Sequence, residues 1–146
     1  MKAISFTART KKTISGLLIV MIMFMLPISL QAKKIPFVQS SVAPAAQGYV
    51  KITTDRNKNN IIKISIKNLV QIERLDPSMK TYVVWMVTDR ETTENIGRIN
   101  SSNKLNVSFS AVSSFKPIKI FITTEESENA QYPGENVVLT TNNFFE

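Results

Sequence analysis

Two groups of carboxylates, Asp89/Glu91/Glu94 and Glu125/Glu126/Glu128, are the side chains best suited by type to do chemistry in this chain. A pair of carboxyls roughly 5 to 9.5 Å apart can act as the acid and base of glycoside hydrolysis, and clustered oxygens can hold Ca²⁺. Neither group has the Asp-x-Asp-x-Asp-Gly spacing of a dedicated calcium loop. The chain contains no His and no Cys. That removes the commonest general base, the commonest zinc ligand, every thiol nucleophile and any disulfide framework. The expectation is therefore a protein that is not an enzyme, with no catalytic residue, no cofactor and no metal site, and with the two acidic groups as solvated loop charge.

Other residues invite functional readings. Tyr82 and Trp85 suggest a stacking platform, but their odd separation along a strand sends them to opposite faces. Trp85, in register with Val83 and Val87, is expected to fill the core, and Tyr82 to lie under a loop or a neighbouring strand. Lys51, Lys63, Lys67 and Lys119 fall on strand faces turned to water. There they could meet an anionic surface, or serve as the charges that keep sheets from pairing with one another.

The elements that position these residues are strands. Tyr49–Thr53 alternates apolar and polar, and the polar run Asp55–Asn60 turns the chain. Ile62, Ile64 and Ile66 then share one face, with Lys63, Ser65 and Lys67 on the other. Period-two alternation marks half-buried antiparallel strands. Thr81–Thr88 is apolar on both faces and is expected to be a central strand. Asn95–Ile99, Leu105–Ala111, Ile118–Ile122 and Asn136–Thr140 complete seven strands without a convincing helix among them. The fold class expected is all-β, an antiparallel two-sheet sandwich of immunoglobulin or fibronectin type spanning 48–146, with a closed barrel as the alternative. Residues 33–47, rich in Pro, Ser and Ala, read as an extended lead-in. In a sandwich the two carboxylate groups would lie at opposite ends. The two longest connections, Asn68–Lys80 and Glu125–Asn136, would leave the same end and bring Arg74, Asp76, Lys80, Glu126, Tyr132 and Pro133 near one another as possible partner-binding loops.

The N-terminus has the pattern of a secretory signal peptide. Lys2, Arg9, Lys11 and Lys12 precede the apolar run Gly16–Leu26, which is followed by Pro27 and by Ala32 at the expected cleavage position. Cleavage after Ala32 predicts an exported domain, periplasmic or extracellular; retention of the segment would leave it anchored to the membrane. From Lys33 onward there are 14 basic and 11 acidic residues, a net charge of +3. That is ordinary for a soluble domain and gives no nucleic-acid footprint.

Tyr82-Val-Val-Trp85, then Gly97, then Thr123 and Glu125, then Pro133-Gly134 and Val138-Leu139 occur in an order that resembles the extracytoplasmic C-terminal domain of RskA-type anti-sigma factors. The likeness covers roughly Leu75 to Thr140. Those proteins carry a cytoplasmic sigma-binding domain, whereas only about a dozen residues precede the apolar run here. The resemblance thus implies the sensor-side domain alone, a non-enzymatic protein-binding module of the bacterial envelope. The competing expectation is a structural or adhesin-type subunit assembling through sheet edges, with the 33–47 lead-in as a donated strand.

Overall fold

Eight strands and one short helix follow one another along the chain in the computed structural model, which describes residues 32–75, 79–100 and 106–145. The strands are β1 (Lys34–Val38), β2 (Gln47–Thr54), β3 (Asn60–Lys67), β4 (Thr81–Thr88), β5 (Thr93–Ile99), β6 (Val107–Ser113), β7 (Pro117–Glu125) and β8 (Val137–Thr141), with α1 (Ile72–Leu75) between β3 and β4. The predicted leader up to residue 31, and Asp76, lie outside the described residues. Among those described, no helix is long and apolar enough to cross a membrane.

The all-β expectation holds, but the strands form one antiparallel sheet, not two. Its order is β5-β4-β7-β8-β1-β2-β3-β6. The strand that joins the two halves is β1, which falls within the stretch read as an irregular lead-in. Lys34, Ile35 and Pro36 pair with Lys51, Val50 and Tyr49 of β2; Phe37 and Val38 pair with Thr141 and Thr140 of β8. The proline sits where the strand changes partners, which is how it is accommodated inside a sheet.

Residues of alternating parity from the whole sheet point into one core. Val50, Ile62, Ile64 and Ile66 meet Tyr82, Val84, Met86, Ile120 and Ile122 there, with Ile35, Phe37, Val107 and Phe109 packed against them. One end is closed by the buried Ala43, Ala46, Leu69 and Ile72 of the β1–β2 and β3–β4 connections. Tyr82 reaches that end, where its hydroxyl donates to the Val70 carbonyl at 2.8 Å. Burial, with a smaller contribution from the charge of Glu73, pushes the Tyr82 phenol up to about 12. At the other end Phe144 is buried and its N–H donates to the Ile118 carbonyl.

The sheet curls until its edge strands meet, which makes it nearly a barrel. Gly97 of β5 has φ +135°, a backbone conformation that side chains other than hydrogen rarely tolerate. A Cβ added there would lie 2.9 Å from Cε2 of Phe109 on β6. The glycine follows a bulge: Trp85 pairs with Asn95 and Val84 with Gly97, so Ile96 is the extra residue. Bulge and glycine together bend β5 toward β6.

Candidate functional site

The outer face of the β5-β4-β7 half carries a second, smaller cluster. The register sets Trp85 opposite Phe121 and Val83 opposite Thr123, while the main core takes Tyr82, Val84 and Met86 from the other face of β4. Trp85 is fully buried, 0% exposed, as expected of a core residue, but it is buried on the outer face of the sheet, apart from the central cluster. Its ring stacks on Phe121, with centroids 6.4 Å apart and planes inclined by 17°. Only a segment crossing this face can exclude water from it.

That segment is the β7–β8 loop, residues 126–136. The side chain of Asn95, the register partner of Trp85, donates to the carbonyls of Glu128 (3.1 Å) and Ala130 (3.0 Å). Arg98 makes an ion pair with Glu128. At the loop's far side the Gly134 N–H donates to Oε1 of Glu125 at 2.7 Å. The same oxygen accepts from the Thr123 hydroxyl at 2.5 Å, and the Thr123 oxygen accepts from the indole N–H of Trp85 at 2.8 Å. Trp85, Thr123, Glu125 and Gly134 thus form one hydrogen-bonded line from the sheet to the loop. Glu125 is nearly buried, and its two described donors compensate for much of the cost of withdrawing a carboxylate from water. A Cβ at residue 134 would stand 3.2 Å from Oε2 of Glu125, so glycine lets the loop backbone approach the carboxylate.

The line holds the loop but leaves its tip free. Tyr132 is 85% exposed, and Glu126 and Pro133 of the same loop are exposed as well. A tyrosine with its ring in water on a loop tied down at both sides is an unusual use of apolar surface. Between the loop and β5 runs a polar groove of about 720 Å³ lined by Thr93, Glu94, Asn95, Glu128, Asn129 and Gln131, among others.

Of the six loop residues expected to converge, the structure describes five. The two long connections do leave the same end of the β4–β7 pair: Thr81 is the register partner of Glu125, and the Lys80 N–H donates to the Glu125 carbonyl at 3.0 Å. Arg74 and Lys80 are exposed there. Among the described residues, no hydrogen bond or ion pair joins the side chains of Arg74, Lys80, Glu126, Tyr132 and Pro133. The loop instead folds back along the outer face toward β5. For that reason the two acidic groups are not confined to opposite ends, since Glu94 and Glu128 line the same groove. Among the described residues no three acidic side chains come together as a metal site.

Asn95 and the Thr123–Glu125 pair organise this site, and reading the sequence did not single them out as anchors. The signal available was the polar run Thr123-Thr124-Glu125 closing an otherwise apolar strand. No family model, no curated protein and no solved structure matches this chain.

Proposed function

We propose that this chain is an exported, non-enzymatic binding domain of the bacterial envelope that engages a protein partner through the 126–136 loop and the exposed end beside it. The observation that carries the reading is the combination of a loop pinned at Asn95 and Glu125 with Tyr132 fully presented to water. Preorganisation lowers the entropy lost on binding, and exposed tyrosine is a frequent anchor of protein interfaces. Export rests on the leader pattern of residues 1–32, and the sensor-domain reading on the partial likeness to RskA-type anti-sigma factors. The absence of His and Cys supports a binding role over catalysis.

Assembly through sheet edges is the less favoured reading. The lead-in strand offered for donation is β1, which already pairs with both β2 and β8, and the edges β5 and β6 pack on each other at Gly97 and Phe109. The test is recovery of partners from envelope fractions by the full tagged chain and by an Arg74→Ala/Tyr132→Ala variant. Loss of a specific partner from the variant is expected; recovery of every partner by both would overturn the assignment.

A further inference from the structure

The outer face of the β1-β2-β3-β6 half has a charge pattern that works against the pairing of its own strands. Lys34 pairs with Lys51, and Lys51 pairs with Lys63, so three lysines occupy directly opposed positions on adjacent strands. Neighbouring strands are about 4.8 Å apart, which makes the row about 10 Å long. Like charges directly opposite destabilise a sheet. Lys67 extends the same face, and none of β1, β2, β3 and β6 contains an Asp or Glu. Among the described residues no carboxylate forms a salt bridge with any of the four lysines.

Protection of an edge strand does not account for the row. Both β2 and β3 are interior strands, while β6, the edge strand of this half, carries no lysine at all. Hydroxyl-bearing side chains lie beside the row. Beside Lys51 and Lys63 lies a groove of about 370 Å³ lined by Tyr49, Ser65, Ser108 and Ser110, and the Lys34 ammonium sits 4.7 Å from the centroid of the Tyr49 ring. The groove joins paired positive charges to the hydroxyls of three serines and to the Tyr49 ring, over an apolar floor that includes Ile64 and Phe109.

We infer that this face binds an anionic polymer, a sugar or polyol chain bearing phosphate, sulfate or carboxylate groups at intervals, laid across β1, β2 and β3. The lysine row neutralises successive anionic groups, and the serines and Tyr49 hydrogen-bond the hydroxyl-rich backbone between them. Lysines at opposed positions on three strands, with serines beside them, offer charges and hydroxyls that a chain laid across the strands can meet in turn.

The test uses the full chain and three probes: dextran sulfate, uncharged dextran, and phosphatidylcholine vesicles with and without phosphatidylglycerol. The wild type is expected to bind dextran sulfate and not dextran, with affinity that falls steeply with salt as counterions are released. Lys34→Gln/Lys51→Gln/Lys63→Gln should weaken binding by about tenfold or more, since it removes three charge contacts at once. An equal charge change elsewhere, Lys58→Gln/Lys116→Gln/Lys119→Gln, should change it by no more than about twofold, by screening of distant charges. The row variant should also unfold at a higher temperature than the wild type without any ligand, because it relieves the repulsion. Equal losses in the two variants, binding to anionic vesicles but not to dextran sulfate, or no binding to either, would each overturn the inference.

Discussion

Tyr82 shows how one buried polar atom can be satisfied while its ring stays in the core. The ring belongs to the inward face of β4, and its hydroxyl emerges at the closed end to meet the Val70 carbonyl. Tyr82→Phe keeps the ring and removes that bond, so it should cost about 1 kcal/mol, read as a lower urea midpoint at neutral pH. The effect has a pH dependence of definite sign. Folding raises the phenol from its ordinary 10.0 to about 12, so the fold favours the neutral form. Its stabilisation is complete below pH 10 and is lost as pH rises through about 12. Between those values the wild type should lose stability faster than Tyr82→Phe, and parallel curves would contradict the assignment. Asp55 follows the opposite logic in the β2–β3 turn. Hydrogen bonds from the Asn59 backbone and side chain, and from the Asn57 N–H, hold its carboxyl below the usual range. The turn is therefore best supported above the ordinary carboxylate range and weakens in acid.

At the scale of the element, the bulge at Ile96 and the glycine after it decide how the sheet closes. Gly97→Ala would impose a Cβ at φ +135° and push it into the Phe109 ring. A loss of about 1–3 kcal/mol is expected from the strained backbone alone. Adding Phe109→Ala should recover the steric part of the penalty and leave the backbone part. A double-mutant cycle by urea unfolding separates the two; full recovery would show that φ costs nothing here. Most elements were legible in the sequence because their periodicity is local: the Ile62/Ile64/Ile66 face and the apolar run Thr81–Thr88 occupy the strands expected of them. β1 was not, because the Ile35/Phe37 alternation spans only five residues with a proline in their middle, and its pairing with β2 and β8 is a long-range fact. The lysine row was half legible. Lys51 and Lys63 were read as water-facing, but that they stand opposite each other and opposite Lys34 depends on register, which one strand's sequence does not encode. That Trp85 is buried was legible, but which face buries it was not, for a related reason. An apolar strand buried on both faces does not say which face looks into the main core, and here the loop 126–136 makes a second buried surface outside the sheet.

Across the whole described domain, the two halves of the sheet differ in charge. The β1-β2-β3-β6 half is basic and free of acids in its strands. The β5-β4-β7 half carries the acidic loop, the polar groove and the Trp85 line. In the proposed function the 126–136 loop, pinned at Asn95 and Glu125, lies over Trp85 and presents Tyr132 as a preorganised contact. Trp85 is the chain's single tryptophan, so its fluorescence reports the cover over its ring without interference from another indole. The measurement to make is acrylamide quenching of Trp85 emission in the wild type and in Glu125→Ala, which removes the acceptor for both Thr123 and Gly134. Blue-shifted emission with little quenching in the wild type, and red-shifted, readily quenched emission in the folded variant, is the predicted result. A wild-type tryptophan as open to acrylamide as a free indole would contradict the held loop and with it the proposed binding surface.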